Sequence, residues 1–177
     1  EQVAYDTITG VVKGESSFLD WREETYPRWM QPSDIYESEC LGTNAVHYEA
    51  NVIAAKMATI LNDKNNISRF QKNAEKIKTA INTYLWMPDK GYYAQYLHGR
   101  NSKIVSPRAE TLGEALTILF GIADETRAKQ IVRSVPKTPF GNPCIYPQIP
   151  GIEPYHNNAV WPFVQSYWMW AAAKAGN

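Results

Sequence analysis

Two consecutive stretches with apolar residues spaced three and four apart limit what this chain can fold into. The first covers about 44–61, where Val46, Ala50, Ile53, Met57 and Ile60 form one stripe and Thr43 is placed to cap it. The second covers about 68–84, with Phe70, Ala74, Ile77, Ile81 and Tyr84 in step. Ser68 and Gln71 there have the spacing of a capping box, and Pro88 and Gly91 lie where a helix must stop. Only the polar turn Asn62-Asp63-Lys64-Asn65-Asn66 separates the two. Helices on so short a connection fold back as an antiparallel hairpin. A second hairpin is expected from helices over about 109–122 (Leu112, Ala115, Leu116, Leu119 and Phe120 inward) and 125–135 (Ala128, Ile131, Val132 and Val135 inward, Asp124 capping). A last helix, from Val160 or Pro162 to Lys174, is apolar nearly all round, the pattern of a helix covered on several sides.

Between the hairpins, Gly91–Leu97 and Lys103–Val105 flank His98-Gly99-Arg100-Asn101, which reads as a small β-hairpin. A short strand pair is expected around Gly10, and Ser33 is placed to cap a short helix. A Pro-rich loop without helix or strand signal runs from Pro136 to His156. The fold class is therefore all-α, and 1-177 reads as a single domain, a central fragment of something larger. With 177 residues the chain is long enough for a real core.

Charge and motifs narrow the chemistry by exclusion. Eighteen Lys+Arg balance eighteen Asp+Glu, so no nucleic acid or anionic membrane is expected as a partner. No apolar run has the length of a membrane span. Cys40 and Cys144 have no Cys or His at metal-ligand spacing, so no metal is expected and the thiols read as unpaired. There is no Gly-rich phosphate loop, no Gly-x-Ser-x-Gly elbow and no His-Glu-x-x-His. No cofactor is expected.

The chemistry concentrates in residues 14–31, which hold Glu15, Asp20, Glu23, Glu24, Arg22, Arg28, Phe18, Trp21, Tyr26 and Trp29. The segment follows neither a helical nor an alternating period, and Pro27 interrupts both. Carboxyls among flat rings suit sugar cleavage, where acids move protons and rings stack on pyranose faces. The competing reading is core aromatics with surface ion pairs. Asp20 is the first choice as general acid, because Leu19 and Trp21 can desolvate it and raise its pKa. An ion pair with Arg22 or Arg28 is the alternative. Glu15, Glu23 and Glu24 rank behind it. Trp21, Tyr26 and Trp29 are candidate stacking platforms or core rings, and Arg22 a hydroxyl ligand or an orienting partner for Asp20. His156, Asn157 and Trp161 precede the last helix and are candidate sugar contacts. His47 reads as a capping or core histidine and His98 as an exposed turn residue. Glu110 and Glu114, one turn apart, read as surface charges at a helix start.

These motifs carry a resemblance. Trp86-Met87-Pro88-Asp89-Lys90-Gly91-Tyr92-Tyr93 resembles a connection common in six-hairpin (α/α)6 glycosidases, and Tyr155-His156-Asn157-Asn158-Ala159-Val160-Trp161-Pro162 resembles the lead into an inner helix of the same proteins. Ser17–Arg22 with Pro27-Arg28-Trp29 is similar to the acid-bearing segment of trehalases and glycoside hydrolase family 63, though Asp20 and Arg28 stand further apart than in that pattern. The chain looks closest to the family 63-like, trehalase-like or glycogen-debranching-like enzymes of Bacteroidetes. The resemblance implies part of an (α/α)6 toroid and inverting hydrolysis of an α-linked glycoside. Asp20 would be the acid, with the base carboxylate outside these residues. It implies an oligosaccharide substrate, an extracytoplasmic (periplasmic) location, and self-association through faces that other hairpins would cover. Two rivals stand beside it: a toroid polysaccharide lyase or sugar epimerase using Tyr or His as base, and a non-catalytic helical carbohydrate- or protein-binding module.

Overall fold

The computed structural model of the protein describes residues 4–16 and 25–176. In chain order the elements are α1 (Pro32–Tyr36), β1 (Glu39–Cys40), α2 (Leu41–Ile60), α3 (Lys64–Tyr84), β2 (Trp86–Met87), β3 (Tyr92–Tyr93), β4 (Tyr96–His98), β5 (Ile104–Val105), β6 (Ala109–Glu110), α4 (Thr111–Leu119), α5 (Glu125–Ser134), β7 (Ile145–Tyr146) and α6 (Pro162–Lys174). Helices dominate, as expected, and each strand is two or three residues long.

The helix boundaries follow from local chemistry. Asp63 caps α3 by accepting from the Asn66 amide at 3.1 Å, one turn earlier than Ser68 and Gln71 suggested. Asp124 caps α5 as expected, accepting from the Arg127 amide at 2.8 Å. Helix α2 begins at Leu41, so Thr43 lies inside it, where its hydroxyl donates to the Glu15 carbonyl at 3.0 Å. Ser33 likewise lies within α1, which starts after Gln31, whose amide donates to the Asp34 carboxylate at 2.9 Å. Asn62 turns the α2–α3 connection with φ +59°.

The α2–α3 hairpin forms, but by a different face of α2. Leu41, Ala45, Ala55 and Ala58 point inward, and these mostly small side chains let α3 come close with Ala74, Ile77, Ala80 and Ile81. The expected stripe is turned outward: Val46, Ile53, Met57 and Ile60 are exposed, Ile60 at 80%. Tyr84 of α3 is exposed as well. Helix α4 lies against α6 and α2, whereas α5 reaches mainly to β3. The second pair is therefore less a hairpin than two helices with different neighbours. Gly113 makes the α4–α2 approach possible, since a Cβ there would meet Leu41 Cδ2 at 3.1 Å. Helix α6 buries only Val164, Trp168 and Ala171 and leaves Phe163, Tyr167, Met169 and Trp170 exposed. It has an inward side and open ones, rather than neighbours all round.

One apolar core joins Leu41, Ile77, Ile81, Leu85, Tyr93, Leu112, Leu116, Ile131, Val164 and Trp168. Burying each such side chain stabilises the fold by about 1.5–3 kcal/mol. Strands β4 and β5 pair antiparallel through Leu97 and Val105, and β1 joins the other edge of β4. Strands β2 and β3 form a second ribbon around Gly91 (φ +75°), where a Cβ would meet Ser134 Oγ at 2.5 Å. Near the N-terminus, Tyr5 bridges Val12 across a turn at Gly10.

Candidate active site

The segment after residue 24 is tied into the body of the protein from three sides. Tyr26 is 2% exposed, and its ring packs on Tyr96 with centroids 5.4 Å apart. Its hydroxyl accepts from the Ser16 amide at 2.9 Å and lies 3.3 Å from Cys40 Sγ. Burial raises the phenol well above its ordinary value, and the neighbouring Cys40 adds to this. Thr25 Oγ1 lies 3.2 Å from His156 Nδ1, joining this segment to the loop before α6.

That loop is organised by Asn157. Its carboxamide accepts from the Ile149 amide at 2.7 Å and donates to the carbonyls of Ile149 at 3.0 Å and Ile152 at 2.9 Å. Beneath it Ile145, Ile149 and Ile152 form a small apolar cluster. Strand β7 pairs with β6, the Thr111 hydroxyl donates to the Pro143 carbonyl, and the Cys144 amide donates to Ala159. His156 is fully buried between Tyr155, centroids 4.7 Å apart, and Trp161 at 4.8 Å. Trp161 is half-buried and donates from Nε1 to the Tyr155 carbonyl at 3.2 Å. Trp29 is 59% exposed and its ring leans on His98 at 5.3 Å. His98 is thus a half-buried strand residue rather than an exposed turn residue, and burial lowers its pKa.

Of the candidates named from sequence, Asp20, Trp21 and Arg22 lie outside the described residues, as do Glu23 and Glu24. The structure joins the segment of Thr25 and Tyr26 to His156, which packs on Trp161 and adjoins Asn157 in the loop before α6. Trp29 stands on the same segment with its ring open. Thr25 carries no pattern that would single it out in a sequence; only its partner 131 residues away reveals it. His47, half-buried on α2, lines a separate cavity with Tyr5, Asn73 and Lys76.

Glu110 and Glu114 are not surface charges. They are 1% and 0% exposed, because β6 and the first turn of α4 are enclosed by α2, the β7 loop and Tyr93. Among the described residues none donates a well-formed hydrogen bond to either carboxylate. Burial pushes Glu110 up to about 7, with the Gly113 amide drawing it back. Burial raises Glu114 well above 4.5, the Tyr93 amide opposes this, and Glu110 adds repulsion. Cys40 and Cys144 are both free and buried. Burial drives each thiol up to about 12, which leaves no thiolate for nucleophilic chemistry at neutral pH. Among the described residues no three His, Cys, Asp or Glu side chains gather where a metal ion could be held.

A family model for the mannosylglycerate hydrolase MGH1-like glycoside hydrolase domain matches residues 5–177. The chain belongs to this family. In three dimensions this MGH1-like domain is similar to the neutral trehalase of Saccharomyces cerevisiae, with a TM-score of 0.65 and 12% identity over 80% of this chain. The likeness covers 29% of the trehalase, so the MGH1-like chain spans under a third of that protein's length. At this identity the likeness shows the fold alone. No curated protein sequence matches the chain. The all-α fold, of the kind found in the trehalase toroid, and the membership of a glycoside hydrolase family read from the ribbon and Trp-Pro motifs are borne out.

Proposed function

We propose that these residues form part of the site of an inverting hydrolase of an α-linked glycoside. Asp20 is its general acid, and the base carboxylate lies outside residues 1–177. The Thr25–His156 contact supports this reading, because it joins the residues that follow Asp20 in the sequence to the lead into α6. Asp20 protonates the leaving oxygen while the base activates a water on the opposite face, a geometry that needs carboxyls roughly 6.5–9.5 Å apart. Trp21, Trp29 and Trp161 offer ring faces to the sugar, and Arg22 fixes a hydroxyl. His156, a candidate sugar contact from its sequence position, is fully buried and instead positions Thr25 and Trp161, while Asn157 and Tyr26 hold the two loops in place. The substrate is an oligosaccharide, met outside the cytoplasm.

The test is Asp20→Asn in the full-length protein. Turnover of the α-glycoside falls by about 10²–10⁴-fold, the contribution of a general acid. Proton NMR of the wild-type reaction shows the inverted anomer first. Full activity of Asp20→Asn overturns the reading, as does an unsaturated product, which would mark a lyase. The exposed apolar faces of α2 and α6 meet further helices of the toroid, so residues 1–177 expressed alone self-associate; a monomer by light scattering at high concentration argues against this.

A further inference from the structure

Beside the His156 loop lies a second cavity of about 430 Å³, within the range of roughly 300–1,000 Å³ typical of small-ligand sites. It opens between the segment Pro27-Arg28-Trp29 and the β4–β5 ribbon, and it is floored by Ile149 and Pro150. One wall is aromatic: Trp29, His98 and Tyr96 stack in sequence, with centroids 5.3 Å apart for Trp29–His98 and 5.9 Å for Tyr96–His98. The opposite charge is missing. Arg28 and Arg108 both line the cleft, and among the described residues no carboxylate does. Arg28 is exposed and takes part in no ion pair among the described residues. Arg108 donates from Nε to the Pro147 carbonyl at 3.1 Å, which fixes its position and leaves its outer nitrogens for a ligand. Asp34, the carboxylate acting on His98 from α1, is engaged by the Gln31 amide.

Two guanidinium groups that have no acidic partner among the described residues, beside an open indole face, are a complement to a ring bearing an anion. Arginine grips carboxylate or sulfate by paired charge-assisted hydrogen bonds, and the indole takes the apolar face of the ring. Among the described residues, removing Arg28 breaks no hydrogen bond or ion pair. The structure assigns this cleft as a subsite for an acidic sugar unit, one carrying a carboxylate or a sulfate, next to the site where the glycosidic bond is cleaved. The inference rests on the reading that the neighbouring loop takes a glycan. Asn157 connects the two places, since it holds the backbone of Ile149, which floors the cleft.

Calorimetry on the full-length protein tests it, with D-glucuronate, its neutral methyl ester, D-glucose 6-sulfate and D-glucose as probes. At least one of the two anions binds at least tenfold more tightly than glucose and the ester, and which one does tells carboxylate from sulfate recognition. The preference shrinks as salt is raised, because the cleft is open to solvent. Arg28→Gln weakens the anion at least tenfold without changing glucose binding. Arg108→Lys, which keeps the charge and loses the fork, weakens it by a smaller factor and covers the case in which Arg108→Gln disturbs the Pro147 loop. Equal affinity for glucose and both anions overturns the proposal, as does an unchanged affinity in Arg28→Gln. Binding is read here without turnover, so these failures are distinct from loss of the hydrolase reading, which only the Asp20 experiment can bring about.

Discussion

Two groups of buried acids, one at β1 and the N-terminal turn and one at β6 and the start of α4, are handled differently. Near the N-terminus, Asp6 and Glu39 both meet the Lys103 ammonium, Asp6 at 2.8 Å, while Lys13 reaches Glu37 at 2.7 Å and Asp6 at 3.9 Å. Burial works to raise Asp6, yet Lys103 and the Ile8 amide outweigh it and hold the group down at about 2. Burial dominates at Glu39, which is raised despite Lys103. At the start of α4, Glu110 and Glu114 are as deeply buried, and among the described residues no cation pairs with either. The first group is a charged clamp between the N-terminal ribbon and the β4–β5 loop. In the second, burial without a paired cation among the described residues raises both carboxyls above their ordinary value. A buried acid is therefore no guide to function until its partners are counted.

The comparison breaks most visibly at Lys103. Lys103→Met removes the ammonium that meets Glu39 and leaves Asp6 only the more distant Lys13 at 3.9 Å, and denaturant unfolding at pH 7 should show a loss of about 3–5 kcal/mol. The pH dependence has opposite signs at Asp6 and at Glu110. Asp6 is depressed below its ordinary 3.8, so its contribution is present above that pH and is lost as pH falls through about 2. Glu110 is raised above its ordinary 4.5, so its contribution is full below 4.5 and fades as pH climbs towards about 7. Glu110→Gln removes the second slope. Against wild type the variant should be more stable by about 3 kcal/mol at pH 8 and equal to it near pH 4. A variant no more stable at pH 8 would mean that the carboxylate is solvated or paired after all.

A neutral polar knot should fall between these extremes. Asn157→Ala leaves the Ile149 and Ile152 backbone groups unpaired and should lower stability by about 2 kcal/mol, with hydrogen exchange rising in residues 149–157 first. The smallest effect belongs to the exposed ring. Trp29→Ala should change stability by no more than about 0.5 kcal/mol while weakening any sugar bound in its cleft. A loss above about 2 kcal/mol there would make Trp29 a structural ring.

Much of the fold was legible because helical periodicity, the polar turn at 62–66 and the Asp124 cap are local signals. Which face of a helix is covered is not local. Helix α2 offers two apolar faces, and the stripe Val46–Ile60 is the more conspicuous; the smaller Ala45–Ala58 face wins because it fits α3 closely. Helix α6 misleads for the same reason, since an all-round apolar sequence does not say how many of its neighbours lie within the same residues. Glu110 and Glu114 were misread because acids in a first helical turn are ordinarily solvated. The β6–β7 pairing, made with a loop that carries no strand signal, closes over them together with α2 and Tyr93. In the candidate site, rings and acids could be named from composition and motif. Thr25 and Arg108 could not, because their meaning lies in partners distant in sequence.

The contact between Thr25 and His156 closes a loop of 131 residues. Chain entropy opposes such a closure by on the order of 4 kcal/mol, far more than one hydrogen bond returns. It can form only once the intervening helices have already brought its ends together, so it belongs to the last stage of folding and to the first stage of unfolding. Partly folded chains would then have their helices in place and no working site. Catalytic competence should be lost under mild denaturation before helical content falls.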